Sequence, residues 1–121
     1  MKRQYIFVLG LILIAGLANG VMDLVNFHFY LAPDWMDPQF WDVQISWKNK
    51  WVLAEDGKVT DLERFRWSST FLVALTDGWH LMQKVMILAF CGAVSYGKKR
   101  WWLWFMLSFI VFSIGFNITY K

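Results

Sequence analysis

The sequence predicts an all-α membrane protein, with three transmembrane helices and a small aromatic-rich extramembrane cap between helices 1 and 2. Three observations predict it. The chain has 121 residues, of which 58% are hydrophobic, with 9 Trp, 11 Phe and 4 Tyr. A soluble domain of this size cannot hide so much apolar surface, because short chains bury only part of what they expose. Uncharged apolar runs recur at a length suited to crossing hydrocarbon, which takes about 20 residues. The charges, finally, are segregated. Seven of the 9 acids fall between Asp34 and Glu63, and basic pairs or triplets flank the apolar runs at Lys2-Arg3 and Lys98-Lys99-Arg100. One domain, residues 1–121, is expected, with spans at about 5–30, 68–97 and 101–120 and the cap at about 34–66.

The first span rests on Tyr5–Met22, 18 residues without a charge. Its apolar pattern continues toward Tyr30, and Pro33 ends it. The same region also fits a secretory signal, with Lys2-Arg3, the run Ile6–Leu17 and small residues at Ala18-Asn19-Gly20. The apolar run continues past that site, which favours a retained helix. Gly16-x-x-x-Gly20 supplies small residues for close helix approach.

The cap is read as folded. Trp35, Trp41, Trp47 and Trp51 are too many for a freely solvated segment, and the alternative is a loop dipping into the headgroups. Val43, Ile45 and Trp47 alternate with polar residues, which predicts a short half-buried strand. Asp56-Gly57 between Val52-Leu53 and Val59 signals a hairpin. Thr60-x-x-Glu63 reads as a capping box that opens a helix toward Arg66.

The second span, Trp67–Gly97, is interrupted by Asp77, His80 and Lys84, and Ser68-Ser69-Thr70 are expected to cap or start it. The third, Trp101–Tyr120, is uncharged, with Trp101, Trp102 and Trp104 where an interfacial belt belongs. Local basic density places the N-terminus and the 98–100 turn on the cytoplasmic side. Lone Cys91 reads as packing. No Lys/Arg stripe with interleaved aromatics points to nucleic acid. The partners expected are the lipid bilayer and either further copies of the chain or a larger membrane complex.

The candidate site comes from two polar stripes. Asp77, His80 and Lys84, spaced i, i+3, i+7, share one helix face, and so do Asn19, Asp23 and Asn26 at i, i+4, i+7. A charge facing lipid costs at least about 2.5–3.5 kcal/mol, so the stripes are expected to face one another as a polar core, which Ser113 and Asn117 of the third span could join, Asn117 alternatively marking only that span's exit. Three readings follow. An Asp77–Lys84 ion pair bridged by His80 and Asn19 would lock helices together. A carboxylate–imidazole cluster could handle protons or ions, in an oligomer or a larger host, because three helices enclose no pore. Asp23, His28, Asp77 and His80 could ligate zinc or a similar divalent metal in a membrane enzyme acting on lipid. Of the three, a non-enzymatic subunit with an intramembrane ionisable site leads, and the lipid-directed metalloenzyme is the alternative. There is no Gly-rich phosphate loop, no Gly-x-Ser-x-Gly elbow and no Cys pair.

Two stretches also resemble segments of small uncharacterised bacterial membrane proteins, phage-borne ones among them. They are Phe40-Trp41-Asp42 with Ile45-Ser46-Trp47-Lys48-Asn49-Lys50-Trp51, and Thr76-Asp77-Gly78-Trp79-His80-Leu81. They cover 16 of the 121 residues. The resemblance implies that the surface segment and the Asp-x-x-His helix form one functional unit, and that the source is a bacterial inner membrane. It implies no activity.

Overall fold

The computed structural model describes residues 3–119, and the side chains of all of these but Phe116, Asn117 and Thr119. The chain is mostly helical with one two-stranded sheet. It divides into two compact units: residues 1–18 with 85–121, and residues 19–84. The longest helices are α1 (Arg3–Phe27), α4 (Gly78–Ser95) and α5 (Trp101–Thr119).

Three transmembrane helices are not supported. Among the described residues only α1 is long and apolar enough to cross a membrane, and a signal sequence passes the same test. Its 25 residues reach about 37 Å at 1.5 Å per residue, against about 30 Å of hydrocarbon. The second expected span fails for a local reason. Residues 67–77 form turns and a 3-10 turn (Val73–Leu75), and α4 begins only at Gly78. That leaves 18 residues interrupted by His80, Gln83 and Lys84. In α5 the apolar stretch of described residues, Trp101–Gly115, is shorter than a span.

In the first unit, Phe7 of α1 stacks on Tyr96, ring centroids 4.4 Å apart. Leu11 comes close to Gly92, where an added Cβ would sit 3.4 Å from its Cδ1. Ala15, Ala18, Ile87, Ala89, Cys91 and Ser95 are buried, so Cys91 is a packing residue. Past the end of α4, Gly97 has φ +75, the left-handed conformation that commonly terminates helices and suits glycine. Among the described residues nothing approaches closely at Gly16-x-x-x-Gly20, where a Cβ at either position would meet nothing within 4 Å.

The second unit contains the cap. Short α2 (Pro38–Trp41) starts on Asp37, whose carboxylate accepts from Gln39 N at 3.0 Å. α3 (Val43–Ser46) starts on Asp42, which accepts from Gln44 N at 2.9 Å. A 3-10 turn (Trp47–Lys50) follows. The expected strand at 43–47 is therefore helical: Asp is among the best N-caps, and Asp42 just ahead of Val43 outweighs a five-residue alternation. The hairpin is present. β1 (Trp51–Leu53) pairs antiparallel with β2 (Val59–Glu63), with Leu53 opposite Val59. Gly57 turns the corner at φ +77, where an L side chain would be strained. Lys58 bonds back to Asp56 through Nζ at 2.8 Å and its backbone N at 3.1 Å. These bonds, the Lys58 Nζ contact first, hold the Asp56 carboxyl below its usual range.

The Thr60-x-x-Glu63 pair lies in β2 and opens no helix. Thr60 Oγ1 donates to Val52 O across the sheet at 2.7 Å. Glu63 folds the next turn, accepting from Trp67 N at 3.0 Å, from Ser69 N at 3.1 Å and from the Ser69 hydroxyl. That turn carries Trp67 at φ +66, a left-handed conformation costing about 1–2 kcal/mol for a residue with a Cβ. Ser68, fully buried, donates to Lys50 O at 2.6 Å; it anchors the turn and starts no span. Of the four cap tryptophans, Trp41 and Trp51 are half-buried, while Trp35 and Trp47 are exposed.

Candidate functional site

The site forms where the chain enters α4. Thr76 closes the 3-10 turn, with its backbone N and its hydroxyl both bonded to Val73 O, at 2.9 and 2.7 Å. Asp77 then acts as the N-cap of α4. Its backbone carbonyl accepts from Leu81 N at 3.1 Å, and Oδ1 accepts from His80 N at 2.9 Å. This is the N-cap arrangement, in which a short acidic side chain satisfies a helix N–H that has no partner within the helix. His80 takes the third helical position, and its ring turns back onto the same carboxylate, Nδ1 lying 2.7 Å from Oδ2 and 2.9 Å from Oδ1. An ionised carboxylate only accepts, so Nδ1 donates. Nε2 has no hydrogen-bond partner among the described residues.

Burial within the pair is asymmetric. Asp77 is 3% exposed, whereas the His80 side chain is 28% exposed. The carboxylate is enclosed and the imidazole reaches outward. The Trp79 ring meets the imidazole edge-on, centroids 5.0 Å apart.

The cap holds this corner in place. Trp41 lies directly on Gly78, where an added Cβ would sit 2.1 Å from ring atom Cε3. Asn49 Nδ2 donates to Thr76 O at 2.9 Å and to Gln39 O at 2.6 Å, tying α2 to the residue before the cap. The Phe40–Trp51 and Thr76–Leu81 stretches thus touch through Trp41–Gly78 and Asn49–Thr76.

The structure brings together only part of the expected polar core. Asp77 and His80 are paired. Lys84 lies seven residues past Asp77, about 10 Å along the axis, and is half-buried. Among the described residues it makes no ion pair with Asp77. On α1 the buried positions of the lower half are Ala15, Ala18, Met22 and Val25. Asn19, Asp23 and Asn26 each follow one of these by a single residue, so they point about 100° away, and all three are exposed. None makes a side-chain hydrogen bond or ion pair among the described residues. His28 is exposed just past the end of α1, its ring edge-on to Tyr30. No three His, Cys, Asp or Glu among the described residues are grouped so as to hold a metal ion; Asp77 and His80 alone are adjacent. The side chain of Asn117 lies outside the described residues.

Trp41, Asn49, Thr76 and Gly78 complete the site and were not among the expected site residues. The signal for the last two is local: Thr-Asp-Gly ahead of an apolar-periodic run is a helix start, with Asp in the cap position.

Chemically, a buried carboxylate that orients an outward imidazole makes Nε2 a proton acceptor or donor at a fixed place. No family model, curated protein or solved structure matches this chain.

Proposed function

We propose that the chain is a membrane-anchored, non-enzymatic subunit in which the Asp77–His80 pair couples packing against a partner to proton uptake or release. The partner is a further copy of the chain or another subunit of a membrane complex. The observation that carries this reading is the His80 imidazole, fixed through Nδ1 at 2.7 Å by an enclosed carboxylate, with Nε2 unpartnered among the described residues.

Two features support the anchor. Tyr5, Leu9, Ile12, Leu13 and Leu17 of α1 are all at least half exposed, a surface suited to lipid. The helix also runs unbroken past Ala18-Asn19-Gly20 to Phe27, and Phe7 and Leu11 pack against Tyr96 and Gly92. Cleavage at the small residues would strip those contacts, which favours a retained helix over a signal. A bacterial inner membrane, with the N-terminus cytoplasmic, is the setting we assign. Arg3, Lys98, Lys99 and Arg100 form an acid-free basic group, whereas the cap mixes its bases with acids.

The test is the assembly state of the full chain in detergent micelles, read by native mass spectrometry at pH 5 and pH 8. The wild type is expected to form a complex larger than one chain, with a population that changes between the two pH values. His80→Gln places an uncharged side chain that cannot titrate at the site. It should abolish the pH dependence, and Asp77→Asn, which retains a capping oxygen, should weaken it. A chain that is monomeric at both pH values, or a His80→Gln variant that keeps the wild-type pH response, would overturn the proposal.

A further inference from the structure

The first unit has an unusual charge balance. Residues 1–18 and 85–121 include Lys2, Arg3, Lys98, Lys99, Arg100 and Lys121 and not one Asp or Glu, since all 9 acids lie between positions 23 and 77. The turn Lys98-Lys99-Arg100 is exposed and makes no ion pair among the described residues. Any anion that neutralises it must come from outside this unit.

The basic turn borders two apolar hollows. One, of about 590 Å³, is lined by Phe7, Leu11, Gly92, Tyr96, Trp101 and Phe105, with Lys98 at its edge. The other, of about 390 Å³, is lined by Lys98, Lys99 and Arg100 together with Leu103, Trp104 and Leu107. Both volumes fall within the roughly 300–1,000 Å³ of small-molecule sites. Lys98 borders both, and its Nζ lies 5.6 Å from the Trp104 ring centroid. Trp101, Trp102 and Trp104 are exposed beside the basic triplet, the composition that settles at a lipid headgroup boundary.

We infer that this corner binds one anionic phospholipid, its phosphate against Lys98, Lys99 and Arg100 and an acyl chain in the Phe7–Leu11–Phe105 groove. The juxtaposition selects the occupant. A free phosphate would satisfy the cations and leave the groove empty. A zwitterionic lipid would fill the groove but carries a cation of its own to the triplet. Only an amphiphile with net negative charge matches both halves. The inference rests on the membrane-anchored reading above and names a partner for that anchor.

The experiment uses the full chain in detergent micelles, with lipid retention measured by native mass spectrometry against phosphatidylglycerol and phosphatidylcholine of identical acyl chains. Phosphatidylglycerol should be retained at a concentration at least about 10-fold lower. Each basic residue near a lipid surface is worth about 5-fold, so Lys98→Gln/Lys99→Gln/Arg100→Gln should erase the preference. These side chains are on the surface, and unchanged far-UV circular dichroism will show that the fold persists. Leu11→Trp, which fills the groove, should reduce retention of both lipids. Equal retention of the two lipids, a preference that survives the triple substitution, or displacement of the lipid by glycerol 3-phosphate at matching concentration would each overturn the site. Alkaline carbonate washing of cell membranes separates the two proposals. A chain that stays in the membrane without lipid preference refutes the lipid site alone, whereas a chain released by the wash refutes the anchor and the lipid site together.

Discussion

Helix α1 and the stretch from Trp51 to Thr76 are nearly equal in length and organise themselves by opposite means. Across its 25 residues, α1 has no side-chain hydrogen bond or ion pair among the described residues. Its backbone is satisfied within the helix, and its side chains, mostly apolar and exposed, are left to their surroundings. In the second stretch polar side chains direct the backbone. Thr60 bonds across the hairpin, Glu63 gathers Trp67 and Ser69, Ser68 holds Lys50, and Thr76 closes its own turn. A helix can take its shape from hydrogen bonds that every sequence owns, so its side chains are free to suit a solvent. A segment without repeating backbone bonds must specify each turn with a particular side chain. Substitutions should therefore matter little along the outer faces of α1 and a good deal in the cap and at its junction with α4.

The largest contrast is between glycines. At Gly78 a Cβ would sit 2.1 Å from Trp41 Cε3, whereas at Gly20 in α1 it would meet nothing within 4 Å. Gly78→Ala forces the Trp41 ring off its seat, and we expect a loss of about 1–3 kcal/mol, the range for overpacking. Gly20→Ala should instead stabilise by up to about 1 kcal/mol through helix propensity. Chemical unfolding of both variants in detergent micelles, followed by far-UV circular dichroism, measures the difference. If Gly78→Ala proves as stable as Gly20→Ala, the cap does not depend on that contact.

A smaller effect comes from Glu63. The Ser69 hydroxyl first, then the Ser69 and Trp67 N–H groups, hold its carboxyl below the usual glutamate range. A group with a lowered folded-state pKa binds protons more weakly when folded. Its contribution is complete above the unfolded value and is lost as pH falls through the lowered folded value. Hydrogen exchange at Trp67 and Ser69 should thus accelerate, beyond its intrinsic pH trend, as pH drops from the ordinary carboxylate range downward. Glu63→Gln should remove that dependence. Amide protection within α1 should show no such inflection, because among the described residues no carboxylate accepts a backbone N–H there. An inflection that persists in Glu63→Gln would assign it to another acid.

These contrasts also explain which features the sequence announces. The hairpin is legible because Asp56-Gly57 demands a turn whatever surrounds it. α1 is legible because an apolar run of that length has few alternatives. The start of α4 is not, because i, i+3 is both the spacing of neighbours on a helix face and the spacing from an N-cap to the third helical residue. Asp77 and His80 satisfy either description. Reading them as a stripe placed a carboxylate inside a span, whereas it begins the helix and leaves 18 residues interrupted by His80, Gln83 and Lys84. Asp37 and Asp42 escaped for a related reason: short acidic side chains bond to nearby backbone, and hydropathy periodicity does not register that; Glu63 does take backbone N–H groups, but those of Trp67 and Ser69 after it rather than that of Thr60 before it. The apposition of Trp41 and Asn49 with residues 76–78 joins positions 27 or more apart in sequence, and spacing alone carries no such signal.

The smallest expected effect lies on the expected polar face of α1. If Asn19, Asp23 and Asn26 served as glue to α4, Asp23→Leu would leave a polar partner stranded and cost well over 1 kcal/mol. Asp23 is exposed, one position off the Met22 face that is buried. Its replacement should therefore change unfolding stability of the isolated chain by no more than about 0.5 kcal/mol. Asp77→Ala, which removes a helix cap, should cost about 0.5–2 kcal/mol under the same conditions. The pair of variants assigns the two carboxylates different roles: Asp77 organises its own chain, and Asp23 is presented outward. An unchanged monomer whose assembly weakens in Asp23→Leu would extend the partner-binding face onto α1. A destabilised monomer would restore the direct link between the two stripes.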